Sequence, residues 1–259
     1  MIKGTVALPV WNSQRVAWLP MESLCRQNKP VKGWELIIFE ESHKTQLGEA
    51  FFRGYESRLK EVGCEQIKYL TSDFRIPLSQ KWVTMAKASA RTSKYFCLCG
   101  ADDYYHSNLL CESEDAIEGA DWLITPKGYF YDFNQDKIIL YNINTLTGLH
   151  MTAKTKLARK LPMEEVNRGV DGWFTKNLIR VGRKMKGSIQ VYMSFSEQWK
   201  HILCTNGLNN ISLERHKYFT EVRPPFYSTD AVLTDIVPED IAIRLKGIAK
   251  SFKVNDDLG

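Results

Sequence analysis

The stretch "YFCLCGADDYYHSNLL", residues 95–110, decides how the chain is read. An apolar run reads as a strand. It ends in the small residues Gly100 and Ala101, and Asp102 and Asp103 then stand side by side. A carboxylate pair after a strand serves as a hydrated turn or a helix cap, or as part of the oxygen shell of a hard divalent cation whose remaining ligands are phosphates. The small residues before the pair let another group approach the backbone closely.

Upstream, "GTVALPV" (4–10) reads as a buried strand with Pro9 marking its exit. A helix follows within 12–30. Its regular part runs from about 19 to 27, because Pro20 is tolerated only in a first turn. "WELIIFE" (34–40) is almost continuously apolar, which suits a parallel strand covered on both faces. A helix over 45–62, a strand at "EQIKYLT" (65–71) and a helix within 78–92, with Trp82, Met85 and Ala86 inward, lead back to the 95–100 strand. This alternation predicts an α/β fold with a mostly parallel central sheet flanked by helices. Such sheets carry their sites beyond the carboxyl ends of the strands. Three polar clusters fall there, at Trp11–Arg15, Glu40–Lys44 and Asp102–His106.

The second half is less regular. Residues 121–143 read as strands joined by a turn at "NQD", "MTAKTKLARKLP" (151–162) as a short basic helix or loop, and 188–194 as a strand. A helix is expected to start near Gly172. The segment 238–254 is a helix with Ile241, Leu245, Ile248 and Phe252 on one stripe and basic residues off it. That stripe suits domain packing, or a peripheral membrane or partner contact.

The chain has 259 residues, 44% hydrophobic and 25% charged, which is ordinary globular usage. The net charge of +5 is mild, and with no aromatic–basic repeat it gives no clear nucleic-acid module. Basic residues cluster at "KTKLARK" (154–160) and "RVGRKMKG" (180–187), as phosphate-binding patches or solvated helix faces. The six cysteines lack zinc-type spacing, and Cys97 and Cys99 are expected on opposite sides of their strand. The chain opens with no secretory signal and carries no run of 18 apolar residues, so the expected location is cytoplasmic, with peripheral membrane contact left open.

Asp171, in "RGVDGWF", is flanked by glycines and followed by two bulky aromatics. A carboxylate presented beside a diphosphate site can remove a proton from an attacking hydroxyl. It also suits the N-cap of the following helix. Lys81 is either a partner for phosphate or sugar oxygens or a solvated lysine.

Taken together, these elements resemble the family 2-like glycosyltransferases, whose fold is the GT-A nucleotide-sugar-binding domain. The resemblance covers roughly residues 4–215 and rests on Pro9 and Asn12 in "VALPVWN", Gln27 in "ESLCRQ", Glu40 and Glu41 where the family keeps two aspartates, and Asp102 on the last aspartate of the metal motif. Departures are Gly100 for the motif's first aspartate, Val170 for one member of an acidic pair, and Asn206, in "NGLNNIS", for a histidine that can complete metal coordination.

The resemblance implies a GT-A domain over 1–215, with a nucleotide-binding part at 1–110 and an acceptor-side part at 111–215, and a helical C-terminal extension at 216–259. It implies a metal-dependent, inverting transferase that moves a sugar from a nucleoside diphosphate sugar to a hydroxyl of a carbohydrate or other acceptor. Mn²⁺ or Mg²⁺ would be held by Asp102 and Asp103. Pro9, Asn12, Glu40, Glu41, Lys81 and Asp102 would border the donor, and Asp171 would act as base. Two rivals stand beside this reading: a catalytically silent nucleotide-sugar-binding or scaffold protein, and a nucleotidyltransferase. The second lacks the glycine-rich loop expected after the first strand.

Overall fold

Strand β1 (Ile2–Val10) is buried from Gly4 to Leu8, so it needs cover on both faces, and it lies in the interior of a seven-stranded sheet. The computed structural model describes residues 1–30, 33–41, 46–133, 135–142, 150–167, 169–193, 200–205 and 226–256. On one side β1 pairs in parallel with β2 (Gly33–Glu41), and β2 with β3 (Cys64–Ser72). On the other side β1 pairs in parallel with β4 (Tyr95–Leu98). Beyond β4 lies β9 (His150–Lys154), antiparallel to both β4 and β6 (Trp122–Thr125), and β10 (Val191–Met193) runs parallel to β6 at the edge.

The period-2 alternation of a strand divides the core into two layers. Val6, Leu8, Leu36, Ile38 and Cys97 point to one face, where Met21 and Leu24 of α1 (Trp18–Cys25), Leu59 of α3 (Glu56–Glu61) and Leu109 and Ile117 of α5 (Leu109–Gly119) cover them. Ala7, Ile37, Phe39, Phe96 and Leu98 point to the other. They meet Trp82 and Met85 of α4 (Leu78–Ala88), Leu157 of α6 (Thr155–Ala158) and Phe174 and Leu178 of α7 (Val170–Lys186). Cys97 and Cys99 share one face with their sulfurs 3.9 Å apart, as residues two apart on a strand must, which corrects the expectation of opposite sides.

The expected GT-A fold, one mostly parallel central sheet with a helical C-terminal extension, is corrected by a second sheet. It has five strands, in the order β12 (Phe226–Tyr227), β8 (Lys137–Asn142), β7 (Lys127–Asp132), β11 (Leu203–Thr205) and β5 (Asp103–Tyr104). The residues explain the split. The inner strands of the first sheet, β2 and β4, are buried runs, whereas β7 and β8, like the edge strand β3, carry many half-buried positions. Antiparallel sheets accept water on one face. The C-terminal extension is not wholly helical, because β12 joins this sheet antiparallel to β8.

Three further expectations change. The helix over 45–62 is two short helices, α2 (Glu49–Arg53) and α3, divided at Gly54–Tyr55, where glycine disfavours a helix interior. The segment 151–162, expected as a basic helix or loop, begins as β9, with residues 150–153 buried in the sheet, and only then turns into the short helix α6. The helix expected from Gly172 begins at Val170. The boundary expected at 215/216 lies outside the described residues.

The described part of the C-terminal stripe, Ile241, Leu245 and Ile248, packs inward, and the Phe252 side chain lies outside the described residues. Ile241 and Leu245 of α9 (Glu239–Asp256) join Trp18, Leu19, Tyr104, Leu203 and α8 (Leu233–Ile236) in a third apolar cluster. Each such buried aliphatic contributes about 1.5–3 kcal/mol, so the stripe serves packing. The Arg244 guanidinium stacks 3.8 Å from the centroid of the Trp18 ring. Among the described residues no helix is long and apolar enough to cross a membrane.

Candidate functional site

β4 ends at Leu98, and the chain turns at Ala101–Asp102 into β5, so Asp102 and Asp103 stand where the first sheet hands over to the second. Thr205 of β11 donates to the Asp102 carbonyl at 2.8 Å and fixes the turn. The Tyr105 hydroxyl accepts the Gly100 N–H at 2.7 Å and donates to Asp103 Oδ2 at 3.1 Å. Helix α1 braces the segment from below. Ser23 Oγ exchanges hydrogen bonds with the Tyr105 backbone, and Gln27 bonds the His106 carbonyl and the Leu110 N–H. Gln27 is thus a buried brace between α1 and the start of α5.

A Cβ placed on Gly100 would fall 2.2 Å from Asp103 Oδ2 and 3.3 Å from Asp102 Oδ1. The two carboxylates therefore converge on the space beside Gly100. Burial, then the charge of Asp103, push Asp102 well above the usual carboxylate range. Burial pushes Asp103 up to about 6, against the hydrogen bonds from Cys204 and Tyr105 that lower it. The Cys204 thiol and Tyr105 are thus second partners of the pair, and their separation along the chain hid them in the sequence.

The rim at the ends of β1 and β2 holds the other expected residues. Asn12 adopts a left-handed φ of 48°, a conformation asparagine tolerates, and so turns the chain sharply after β1. The Arg75 guanidinium lies 4.3 Å from the centroid of the Trp11 ring, a pairing the sequence reading missed. Pro9 and Val10 extend past β4, whose pairing with β1 stops at Ala7. Glu40 is buried and accepts the Leu47 and Gly48 N–H groups at 2.8 and 2.9 Å and the Tyr69 hydroxyl at 2.7 Å. Glu41 accepts the Ile76 N–H at 2.8 Å and pairs with Lys81 Nζ at 2.9 Å. Lys81 is buried, not solvated, and its ammonium also reaches the Val10 carbonyl at 3.4 Å. Burial draws its pKa below the usual lysine range, and Glu41 counters that. Both glutamates thus hold the protein's own groups and shape the rim.

Asp171 is the second residue of α7 and is exposed. Gly169, with a left-handed φ of 63°, occupies the N-cap instead. A negative charge in the first turn complements the helix dipole. The charge of Asp171 acts to raise the pKa of both Asp103 and Cys204. Val170 beside it is buried in the core. His106 is also buried, and burial, then the charge of His150, hold its imidazole down at about 3, so it is neutral near pH 7. Asn206 and the rest of "NGLNNIS", with Ser42, His43 and Lys44, lie outside the described residues.

Among the described residues no group of three or more His, Cys, Asp or Glu side chains forms a ready metal cage. Two converging, half-buried carboxylates nevertheless fit a hard divalent cation that takes its other ligands from a diphosphate, because the cation would remove their mutual repulsion.

No protein-family model matches the chain, and no curated protein does. Solved structures do. Staphylococcus aureus TarS 1-349 in complex with UDP-GlcNAc aligns with TM-score 0.60 and 15% identity over 81% of this chain and 60% of that one. A longer S. aureus TarS structure aligns with TM-score 0.59 and 16% identity over 79% of this chain and 37% of that one. The mannosyltransferase PcManGT from Pyrobaculum calidifontis, in complex with GDP-Man and Mn²⁺, aligns with TM-score 0.54 and 9% identity over 96% of this chain and 73% of that one. The chain thus spans less than two thirds of either TarS chain. At these identities the likeness is one of fold.

Proposed function

We propose that the protein transfers a sugar from a nucleoside diphosphate sugar to an acceptor hydroxyl. The observation that carries this reading is the convergence of Asp102 and Asp103 beside Gly100, with the charge of Asp171 reaching them. The likeness in fold to TarS with UDP-GlcNAc and PcManGT with GDP-Man and Mn²⁺ supports it.

In this reading the diphosphate lies at the carboxylate turn. Asp102 and Asp103 would hold Mn²⁺ or Mg²⁺, which when bound neutralises charge on the departing nucleoside diphosphate. Base and ribose lie along the rim bordered by Pro9, Asn12, Glu40 and Glu41, with Trp11 and Arg75 offering a stacked surface. Lys81 keeps Glu41 in place and adds positive charge behind the rim. Asp171 takes the proton from the acceptor hydroxyl as its oxygen forms a bond to the anomeric carbon. The bond to the diphosphate oxygen breaks on the opposite side, and the configuration inverts.

The test is donor profiling. The protein with Mn²⁺ is titrated with a panel of UDP-, GDP-, ADP-, CDP- and dTDP-sugars, and binding and slow donor hydrolysis are followed. One donor should bind saturably, with affinity lost in Asp102→Ala. Binding of none, or an Asp102→Ala variant indistinguishable from the wild type, would overturn the proposal. Binding without hydrolysis or transfer to any of a panel of sugar acceptors would favour the non-transferring binding protein instead.

A further inference from the structure

The basic segment "KTKLARK" (154–160) is not absorbed by the site above. Its residues have separate fates. Arg159 turns inward and donates to the carbonyls of Ala86, Ser89 and Ala90, closing the C-terminal end of α4. Lys154 and Lys156 line a cavity of about 520 Å³ at the opposite edge of the sheet from the carboxylate turn, where β1 and β4 begin and β9 ends.

The cavity has the size of a small-molecule site. Five cationic side chains line it, from Lys3, Arg91, Lys94, Lys154 and Lys156, against the two carboxylates of Glu114 and Glu118. Lys154 is engaged by Asp121 at 3.1 Å. Among the described residues Lys3, Arg91, Lys94 and Lys156 have no side-chain ion pair. Lys3, Arg91 and Lys94 stand on adjacent segments, joined by the Lys94 N–H donating to the Lys3 carbonyl at 2.7 Å.

The second observation is Tyr95. It lines the same cavity and is 2% exposed, and its hydroxyl is buried with no hydrogen-bond partner. An unmatched buried hydroxyl is destabilising, and an acceptor arriving from the cavity would offset that. Burial, then the charges of Cys97 and Glu114, hold the Tyr95 pKa well above the usual phenol range, so the group is a donor. A phosphate offers acceptor oxygens to the hydroxyl and negative charge to the lysines and arginine.

We infer that this cavity binds a phosphate-bearing small molecule, with Lys3, Arg91, Lys94 and Lys156 around the anion and the Tyr95 hydroxyl donating to it. The site is separate from the carboxylate turn and stands whether or not the chain transfers a sugar.

The test uses the full chain and inorganic pyrophosphate, with readouts that locate the binding. Lysine acetylation followed by mass spectrometry should show Lys3, Lys94 and Lys156 protected at millimolar pyrophosphate, while exposed Lys137 is unaffected. Calorimetry should show pyrophosphate binding weakened about tenfold in Tyr95→Phe, the loss of one hydrogen bond to a charged group, and more in Lys3→Ser/Lys94→Ser. Tyr95→Phe should melt no lower than the wild type without ligand, because the hydroxyl it removes is unpartnered. Unchanged acetylation at all three lysines, or equal affinity in the wild type and Tyr95→Phe, would overturn the inference.

Discussion

The carboxylate of Asp103 occupies the space that a side chain on residue 100 would need, with Oδ2 only 2.2 Å from an ideal Cβ on Gly100. The two positions exclude one another. Gly100 is therefore no simple loss of an acidic residue, because its missing side chain is what lets Asp103 fold back beside Asp102. Tyr105 fastens this arrangement from both ends, through the Gly100 N–H and Asp103 Oδ2.

Gly100→Asp should accordingly behave as overpacking, costing roughly 1–3 kcal/mol and displacing Asp103, with Mn²⁺-dependent donor binding lost. Asp103→Ala should weaken that binding without the clash. The double variant Gly100→Asp/Asp103→Ala should bind better than Gly100→Asp alone, with a coupling of about 0.5–3 kcal/mol. Calorimetric titration of the four proteins with donor and Mn²⁺ checks this. Strict additivity would mean that the two residues do not compete for one place.

The first half of the chain was legible because β1, β2 and β4 are largely apolar, buried runs and the helices between have clear inward faces, so periodicity and burial agree there. The second half was not, because pairing there is set by distant partners. Residues 150–154 read as polar and basic, yet they form the strand that links β4 to β6, where neighbours rather than propensity decide. Helix α5 left a usable signal in Leu109, Leu110, Ser113 and Ile117, all buried at helical spacing, which the reading passed over. At the site, Asp102, Asp103 and Asp171 announced themselves by residue type and flanking glycines. Tyr105, Cys204 and the Trp11–Arg75 pair did not, because their roles depend on tertiary contacts.

Tyr105→Phe removes both partners of the turn while keeping the ring. The Gly100 N–H would be left without its acceptor and Asp103 with one donor fewer, at a cost of roughly 1–3 kcal/mol. Because the Tyr105 hydrogen bond lowers the pKa of Asp103, the Asp103 pKa of about 6 should rise in the variant. Urea unfolding measures the first effect and carboxyl-resolved NMR titration the second. A variant as stable as the wild type, with Asp103 unmoved, would remove Tyr105 from the account.

Asp171→Asn separates binding from turnover. If Asp171 acts as the base, kcat should fall by roughly 100–10,000-fold, while donor affinity in the presence of Mn²⁺ stays within a small factor. The same substitution removes a negative charge that raises the pKa of Asp103, so that pKa should fall. Transfer rates and donor binding measured on one preparation test both statements. Unchanged turnover alongside a lowered Asp103 pKa would leave Asp171 an electrostatic neighbour and not a base.

Asp121 supplies a pH test of the scaffold itself. Its side chain is wholly buried before β6 and bonds Lys186 Nζ at 2.7 and 2.9 Å, the Gln190 N–H at 3.1 Å and Lys154 Nζ at 3.1 Å, tying α7 and β9 together. Burial alone would raise its pKa, but these partners outweigh it and hold the carboxyl below its ordinary 3.8. A depressed carboxyl pKa means that the unfolded chain binds the proton first. The stabilisation is therefore complete above 3.8 and is lost as pH falls through the lower folded value. Near neutral pH, Asp121→Asn should cost roughly 1–3 kcal/mol. The gap in melting temperature between wild type and variant should be constant from pH 7 down to about 5 and close below 3.8. A gap of the same size at every pH would show that the charge of Asp121 contributes nothing and that only its shape matters.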